Sequence, residues 1–343
     1  MQNDRFLKAC RREQVDCTPV WLMRQAGRYM PEYMAIRKKY DFLTMCKTPE
    51  LAAEVTLQPI NRLGVDAAIL FADILLPLEG MGIDLKFAKN EGPVISNPVR
   101  TIQDVEQIRI LEAEEATPYV MEAIRLIRKE LDGRVPLIGF SGAPFTVASY
   151  IIEGGGSKEY KNCKTLMWKA PEIWDALMDK ISQVLLKYLK AQIKAGAQAV
   201  QMFDSWVGAL SPDDYETYVM PYSRYVLDAL KDEGVPVIHF ANNASTMLES
   251  VVKAGGDVIG IDWRINIDAA WSRIGYDKAI QGNLDPFTLF APPELIEEKV
   301  KRILEMAGNR PGHIFNLGHG INKETPVENA IALVEAVHKY SKR

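Results

Sequence analysis

The sequence predicts a (β/α)₈ barrel, an α/β fold in which eight parallel strands alternate with helices within a single domain. One unit recurs along the chain: a helix-like segment ends at glycine, and a short apolar run then ends in a polar residue. Eight apolar runs of this kind can be counted. The first of them is not followed by the glycine-rich motif that opens a doubly wound dinucleotide-binding sheet, which is the main alternative fold.

The predicted strands are short and continuously apolar. This pattern is typical of parallel strands that are buried on both faces of a sheet, and repeated strand–helix units indicate a parallel arrangement. In chain order the predicted strands are residues 20–23, 67–71, 135–140, 199–203, 235–240, 258–261, 279–285 and 313–318.

The helices between the strands have recognisable ends. Glycine ends a helix because it adopts the left-handed conformation without steric cost, and the candidate positions are Gly64, Gly133, Gly196, Gly234 and Gly255. A hydroxyl residue followed by proline predicts a helix start, and this pair occurs at 48–49, 211–212 and 325–326.

Two connections are longer than barrel loops usually are. Residues 75–100 follow the second predicted strand, and residues 154–167 follow the third. Both leave the end of the barrel where active sites form, so we expect them to be walls or lids over a site, the alternative being insertions without a role in function. Because no linker or low-complexity stretch interrupts the chain, residues 1–343 are predicted to form one domain.

Composition excludes several classes of protein. Of the 343 residues, 48% are hydrophobic and 25% are charged, values that exclude a disordered chain, a collagen and a disulfide scaffold. The net charge of −4 argues against a nucleic-acid partner, so an anionic substrate must be attracted by a local basic cluster.

The same survey predicts a cytoplasmic protein. The four cysteines form no CxxC pair and are expected to be reduced thiols. The N-terminal residues lack the apolar core of a signal peptide, and no apolar stretch approaches the roughly 18 residues that span a bilayer.

Candidate site residues follow the predicted strands, because barrel active sites form at the carboxyl ends of the strands. The set contains arginines, carboxylates, a tyrosine and one histidine, but no cysteine. In chain order it comprises Arg24, Gln25, Arg28, Asp73, Ser141, Tyr150, Asp204, Ser205, Asn242, Asn243, Asp262, Arg264, Asn283, Asp285 and His319.

The segment after the first strand holds two arginines, Arg24 and Arg28. Their spacing of four would point both the same way from a single helical turn. Ala26 and Gly27 between them would let backbone N–H groups approach a ligand. Two guanidinium groups form a fork for carboxylate or phosphate, which Arg37 would extend, the alternative being solvated surface arginines.

Three further residues carry chemistry of their own. Asp73 ends an apolar run, so its carboxylate is partly desolvated and needs a donor or a cation, unless it only caps a loop. His319 lies between glycines and is open to a cavity, unless it packs in the interior or is solvated. Tyr150 is either a phenol that donates to a substrate carboxylate or a ring of the core.

The sequence contains few of the motifs that are typical of metal binding or nucleophilic catalysis. The chain has no HExxH, P-loop or nucleophile elbow, and alanine occupies the third position of His239-Phe240-Ala241, where a zinc-binding H-x-C motif has cysteine. We therefore predict no metal site. Ser205 with His319 is the available serine–histidine combination for hydrolysis.

Residues 24–33, RQAGRYMPEY, resemble the first signature of the uroporphyrinogen decarboxylase family. Residues 139–155 resemble its second signature, and residues 71–74, 203–206 and 316–320 fall where the family has further site residues. The resemblance covers essentially the whole chain. It implies a homodimeric (β/α)₈ barrel without cofactor or metal that removes the four acetate carboxyls of uroporphyrinogen III as CO₂. The implied product is coproporphyrinogen III, and the implied reaction is a step of haem and tetrapyrrole biosynthesis.

The resemblance also implies roles for individual residues. Asp73 would lie at the centre of the macrocycle and accept hydrogen bonds from the pyrrole N–H groups. The proton donor to the ring stays open among Arg37, Tyr150, His319 and a bound water. The implied substrate-binding residues are Arg24, Gln25, Ala26, Gly27, Arg28, Asp73, Tyr150, Phe203, Ser205 and His319, and the implied catalytic residues are Asp73, Arg28, Arg37, Tyr150 and His319.

Two other functions are compatible with such a barrel. One is a zinc-dependent corrinoid or thiol methyltransferase of the same superfamily, in which histidine and cysteine near the late strands bind the metal. The absence of cysteine beyond Cys163 argues against it. The other is a barrel that binds a tetrapyrrole or a partner without catalysis.

Overall fold

Seven parallel strands follow one another in chain order around a curled sheet. The computed structural model describes residues 2–88 and 92–343. Two further strands, β2 and β3, form a separate antiparallel hairpin. The strands are β1 Ala68–Ile69, β2 Leu85–Ala88, β3 Gly92–Ile95, β4 Leu137–Gly142, β5 Ala199–Asp204, β6 Val237–Ala241, β7 Val258–Gly260, β8 Ala279–Gln281 and β9 His313–Ile314.

Residues 19–21 close the sheet into a barrel. Val20 bridges Phe315 in parallel beyond the end of β9, and the Val20 carbonyl accepts a hydrogen bond of 2.8 Å from the Asp66 N–H just before β1. The predicted α/β barrel of a single domain is therefore confirmed, although the predicted strand 20–23 is not a regular strand. Only the Trp21 N–H donates to the neighbouring strand, at Phe315 O, whereas the N–H groups of Val20, Leu22 and Met23 donate to the side chains of Asp66, Gln25 and Asn316.

The last two strands are shorter than predicted. Regular pairing in β8 ends at Gln281, not at residue 285, and in β9 at Ile314, not at residue 318. Irregular pairing continues beyond them, since the Leu284 N–H donates to Asn316 O and the Gly318 N–H donates to Leu284 O. The polar residues predicted after these strands therefore still lie at the carboxyl-terminal rim.

Helix ends agree with most of the sequence signals. Gly64 follows the helix 49–63 with a φ of +70°, and the Ser211 hydroxyl accepts from the Asp214 N–H at the start of the helix 212–218. At Thr325-Pro326 the helix begins one residue later than the sequence predicts, at Val327 instead of Pro326. Thr325 is buried, and its hydroxyl does not cap the helix.

The helices cover the outside of the sheet. The α-helices are α1 Arg5–Cys10, α2 Pro31–Arg37, α3 Phe42–Lys47, α4 Pro49–Leu63, α5 Pro77–Gly80, α6 Ile102–Glu106, α7 Ala113–Ala116, α8 Pro118–Leu131, α9 Pro144–Glu153, α10 Lys161–Lys169, α11 Pro171–Ala195, α12 Pro212–Tyr218, α13 Met220–Asp228, α14 Leu248–Ala254, α15 Ile267–Ile274, α16 Pro293–Ala307 and α17 Val327–Tyr340. Two 3₁₀-helices span Val207–Ala209 and Pro286–Phe290. In the part of the chain that the structure describes, no helix is both long and apolar enough to cross a bilayer.

A line of hydrogen-bonded side chains crosses the barrel interior. Trp21 Nε1 donates to Gln281 Oε1 at 3.0 Å, and Gln281 Nε2 donates to Gln201 Oε1 at 3.1 Å. All three side chains are fully buried, and pairing one polar group with another avoids the cost of burying it alone. They link the closing segment 19–21 to β8 and β5.

The two long connections pack against each other. Residues 75–100 contain α5 and the hairpin β2–β3, in which Val94 bridges Gly155 and the Ile95 N–H donates to Gly154 O at 2.9 Å. On its other side the hairpin reaches the rim through aromatic contacts, because the rings of Phe87 and Phe42 lie 5.1 Å apart and those of Phe42 and Phe71 lie 5.9 Å apart. The two long connections thus form one layer beside the end of β1. That this layer is a wall or lid over the site stays a prediction.

Candidate active site

Asp73 lies at the carboxyl-terminal rim, shortly after β1. Its side chain is half-buried, and its Oδ1 accepts a hydrogen bond of 2.9 Å from the Leu75 N–H. Within residues 2–88 and 92–343, no cation lies within ion-pairing distance of it. Burial raises the pKa of Asp73 to about 6, although the Leu75 N–H and the charge of Arg24 act in the opposite direction. The carboxylate is therefore mostly ionised at neutral pH and incompletely stabilised by the protein.

Arg24 lies close enough to Asp73 to influence its charge. The Arg24 side chain packs on Gly320, where an added Cβ would lie 2.5 Å from Arg24 Cδ. Arg24 has a φ of +61°, a left-handed conformation that non-glycine residues adopt at an energetic cost of order 1–3 kcal/mol. The segment 23–30 consists of turns and bends, so the predicted single helical turn that would align Arg24 with Arg28 is wrong.

Gln25 is the physical reason for this departure. Its Oε1 accepts from the Leu22 N–H and its Nε2 donates to Ala67 O, both at 3.0 Å. Its N–H donates to Leu22 O, and its carbonyl accepts from the Tyr29 hydroxyl. Each polar group of this buried residue makes a hydrogen bond within the protein, so Gln25 holds the segment in place, and its contact with substrate stays a prediction.

The residues after Gln25 approach the rest of the segment closely. Ala26 and Gly27 are half-buried, and a Cβ at Gly27 would lie 3.1 Å from the Arg24 carbonyl. Glycine at this position therefore permits the tight turn. The predicted approach of backbone N–H groups to a ligand stays a prediction.

Arg28 and Arg37 lie on the side of the site formed by α2. Arg28 is exposed, and Arg37 is half-buried with its Nη1 donating to Tyr40 O at 2.9 Å. Burial raises the pKa of Tyr33, and the charges of Arg37 and Arg28 oppose that rise, which places both guanidinium groups near this ring. The Tyr33 ring in turn lies 5.8 Å from that of Phe71, two residues before Asp73. The arginines thus border the Asp73 side of the rim.

Tyr150 projects from α9 toward the same rim. Its ring is half-buried and lies 6.1 Å from the Trp206 ring, which lies 6.0 Å from that of Tyr160. Burial raises the pKa of the Tyr150 phenol, with a smaller contribution in the same direction from Asp73. The phenol is therefore protonated at neutral pH and can donate a hydrogen bond.

Phe203 and Ser205 come from the end of β5. The half-buried Phe203 ring lies between Phe140 and Phe240, with ring centroids 5.6 Å and 5.9 Å away, and this cluster provides an apolar surface. Ser205 is half-buried, and its carbonyl accepts from Asn242 Nδ2 at 3.1 Å. Among the described residues Ser205 makes no hydrogen bond with His319, so this serine–histidine pair is not assembled for hydrolysis.

His319 follows β9 and is half-buried between Gly318 and Gly320. Burial lowers the pKa of His319 to about 4, and the charges of Arg24 and Arg264 lower it further. The imidazole is consequently neutral at pH 7, and the charge of Arg24 acts on both His319 and Asp73.

Asp204 and Arg264 both belong to the candidate residues that follow predicted strands, and the structure places them in different environments. Asp204 is fully buried behind Phe203 in β5, because successive strand residues point to opposite faces. Its Oδ1 accepts from the Thr146 hydroxyl at 2.9 Å, and burial raises the pKa of Asp204 to about 7. Arg264 instead lies beside His319. No local sequence signal separates these two environments, since each residue simply follows an apolar run.

Metal ligands are not clustered anywhere in residues 2–88 and 92–343, where no group of three or more histidine, cysteine or acidic side chains has the geometry to hold an ion. The four cysteines are all buried as free thiols. His239 is enclosed in β6, and burial lowers its pKa to about 4. The residues of the late strands thus offer no counterpart to the zinc ligands of the methyltransferase alternative.

The fold and the rim together define a class of protein. A parallel α/β barrel holds a desolvated carboxylate at its carboxyl-terminal end, with arginines, a phenol, a neutral imidazole and an apolar aromatic surface around it. Such a site suits an enzyme that acts on a compound with an apolar part and several carboxylates.

Comparison with known proteins identifies the family. Residues 1–340 match the family model described as "Uroporphyrinogen decarboxylase (URO-D)". A uroporphyrinogen decarboxylase of Carboxydothermus hydrogenoformans is 71% identical over 99% of this chain and 97% of its own length, and one of Sorangium cellulosum is 62% identical over 98% and 96%. The chain belongs to the uroporphyrinogen decarboxylase family.

A solved structure shows the same fold. A methyltransferase from Methanosarcina mazei superposes with a TM-score of 0.84 over 99% of this chain and 98% of its own, at 23% sequence identity. At that identity the likeness concerns the fold alone. The curated relatives, at more than twice that identity over nearly the full length, favour decarboxylation over the methyltransferase alternative.

Proposed function

We propose that this chain, as one decarboxylase domain over residues 1–343, converts uroporphyrinogen III to coproporphyrinogen III by removing its four acetate carboxyls as CO₂. Membership of the family supports the reaction and its place in haem and tetrapyrrole biosynthesis. The single observation that carries the assignment of the site is Asp73, an ionised carboxylate held without an ion-pair partner among the described residues at the mouth of the barrel.

The reaction needs a place for the electron pair that the departing carboxylate leaves behind. Protonation of a pyrrole ring at its α-carbon supplies it, because the C–C bonding electrons then neutralise the resulting cation as CO₂ leaves. The exocyclic carbon takes up a proton and the ring gives one back, so each acetate becomes a methyl group with the net uptake of one proton. The substrate is its own electron sink, and the proposed reaction requires neither cofactor nor metal.

Asp73 stabilises that cation in this proposal. A fixed carboxylate accepts the pyrrole N–H groups and lies next to the ring as positive charge develops, without the reorganisation that water would need. The pKa of about 6 leaves Asp73 ionised at neutral pH, as this role requires. Phe203, between two other aromatic rings, provides the surface on which the macrocycle packs.

The arginines neutralise the substrate carboxylates locally. Arg24, Arg28 and Arg37 line the Asp73 side of the rim, which compensates for the net charge of −4 on the chain. A guanidinium fork matches a carboxylate through two parallel hydrogen bonds.

Tyr150, Ser205 and His319 are proposed to contact the carboxylate arms. The protonated Tyr150 phenol is a donor at neutral pH. His319 is a neutral imidazole at that pH, since its pKa is about 4, so it is a hydrogen-bond partner and not a source of acid. The ring proton then comes from Tyr150, Arg37 or a water held by them.

A homodimer in the cytoplasm is the proposed assembly. The stacked rings of Phe287 and Phe290 are 63% and 44% exposed on the 3₁₀-helix that follows β8, at the same end of the barrel as the site. Two exposed phenylalanines in contact are typical of an interaction surface. Light scattering on the purified protein tests this assembly, and replacement of both rings by serine is expected to shift a dimer toward monomer, whereas a monomeric wild type contradicts it.

Product analysis tests the function directly. Purified protein is incubated anaerobically with uroporphyrinogen III without added metal or cofactor, and the oxidised products are separated by carboxyl number. We expect seven-, six- and five-carboxyl intermediates and a four-carboxyl end product. Unchanged eight-carboxyl substrate from folded protein contradicts the proposal. Loss of turnover after exhaustive chelation of metal contradicts the cofactor-free mechanism.

A further inference from the structure

Arg264 is held in a fixed position at the rim after β7. Its Nη1 donates to Asp262 Oδ2 at 3.1 Å, and its guanidinium carbon lies 4.3 Å from the centroid of the Trp263 ring. The Asp262 carboxylate also accepts from the backbone N–H groups of Arg264 and Asn243, so it does not depend on the guanidinium alone. An ion pair and a stacked ring thus fix the guanidinium before any ligand arrives.

Most hydrogen-bonding capacity of this guanidinium is unused. An arginine side chain has five N–H donors, and within residues 2–88 and 92–343 the guanidinium of Arg264 makes one hydrogen bond to the protein. The side chain is 41% exposed. Its remaining donors are therefore available to a group that enters from solvent.

Arg24 and the residue before Arg264 pack on the two glycines that flank His319. A Cβ on Gly318 would lie 2.6 Å from the Trp263 backbone nitrogen, which shows that this segment packs directly against Trp263. Gly320 packs against the Arg24 side chain in the same way. His319, between the two glycines, therefore lies near both arginines, and the charges of both lower its pKa.

We propose that Arg264 is a further substrate-binding residue, which holds a propionate carboxylate of the macrocycle beside His319. The inference rests on the proposed function and extends its site beyond Arg24, Arg28 and Arg37. A carboxylate near His319 would meet the fixed guanidinium of Arg264, the Arg24 side chain and the neutral imidazole.

A propionate suits this position better than a reacting acetate. The acetate carboxylate loses its charge as it leaves as CO₂, so a strong ion pair to it would stabilise the ground state more than the transition state. The propionates keep their charge throughout the reaction. Arg264 follows β7, which lies across the barrel from β1 and Asp73, so it can anchor the macrocycle without opposing the chemistry.

The test compares Arg264→Met with the wild type on two substrates, the eight-carboxyl and the five-carboxyl porphyrinogen, which keep the same propionates but differ in acetates. We expect KM to rise roughly tenfold for both, as for the loss of one partly exposed charge-assisted hydrogen bond, with kcat within about twofold. Arg264→Lys, which keeps the charge, is expected to give an intermediate KM. The KM of the methionine variant is also expected to depend less steeply on salt.

Arg273→Met is the matched control, because the guanidinium of Arg273 on α15 is already occupied by an ion pair with Glu249 on α14 and a hydrogen bond to Ser245 O. Its KM is expected to equal that of the wild type. Should Arg264→Met not fold, Arg264→Gln replaces it, since an amide can still donate to Asp262.

Three outcomes overturn the inference. An unchanged KM in a folded charge-removing variant shows that Arg264 only neutralises Asp262, and a lower melting temperature with unchanged KM shows the same. A rise in KM for the eight-carboxyl substrate alone assigns the contact to an acetate. Absence of turnover in the wild type, by contrast, contradicts the proposed function itself.

Discussion

Replacement of Asp73 by asparagine is expected to lower the turnover strongly and to stabilise the fold at the same time. Burial raises the pKa of Asp73 to about 6, above its ordinary value of 3.8, so folding favours the protonated form. Between those two pH values the unfolded chain gives up its proton first, and the free energy of unfolding falls as pH rises. Asparagine cannot ionise and retains an oxygen for the Leu75 N–H.

The magnitude follows from the two pKa values. The gap between 3.8 and about 6 corresponds to about 3 kcal/mol at pH 8, because one pKa unit is worth about 1.4 kcal/mol. This energy is the destabilisation of the folded wild type by ionised Asp73, and at pH 5 it is only about half as large. For a chain of 343 residues, relief of this cost raises the melting temperature of Asp73→Asn above that of the wild type by about 4 °C at pH 8 and by about 2 °C at pH 5. These are upper values, since Asp73 is only half-buried.

The assay is thermal unfolding of Asp73→Asn and wild type at pH 5 and pH 8, together with turnover at neutral pH. We expect the advantage of the variant to widen with pH while turnover falls roughly 10²–10³-fold, the usual effect of removing one preorganised group. Asp213→Asn is the control, because Asp213 is exposed in the first turn of α12. A variant that is less stable than wild type at pH 8, or that turns over normally, refutes the reasoning.

Two further predictions concern the same rim. The value of kcat/KM is expected to fall as pH drops below about 6, because Asp73 becomes protonated while His319, with a pKa of about 4, stays neutral; a flat profile down to pH 5 contradicts this. Gly320→Ala is expected to raise KM about tenfold with little change in melting temperature, because its Cβ displaces the Arg24 side chain from a carboxylate. Gly156→Ala, where an added Cβ meets no atom within 4 Å, is the control, and equal KM values in the two variants argue against the role of Arg24.

Much of the fold and the place of the site could be read from local patterns. Apolar runs framed by glycines identify the strands, since both faces of a parallel strand are buried and glycine ends the preceding helix. The barrel rule then places Asp73, Tyr150 and His319 at one rim, and the structure finds all three there. Their roles toward substrate stay predictions.

Other features depend on contacts between distant parts of the chain. Gln25 bonds to Ala67, so residues 23–30 form turns and Arg24 and Arg28 do not share a helical face. Side chains far along the chain take the backbone donors of residues 20 and 23, which leaves an irregular strand there. No pattern within a short window contains such partners.

The sequence by itself determined the barrel, the family and the residue types at the rim. These are encoded locally, by hydrophobic runs, glycine conformation and signature segments. Only the tertiary structure decided that Asp204 lies behind the sheet, that the Gln25 side chain bonds to the backbone of residues 22 and 67, and that Arg264 lies near His319. The physical reason is that packing between segments tens to hundreds of residues apart sets the burial and the charge environment of each side chain. Burial and charge environment in turn decide which carboxylate has a raised pKa and which arginine has donors left for a ligand.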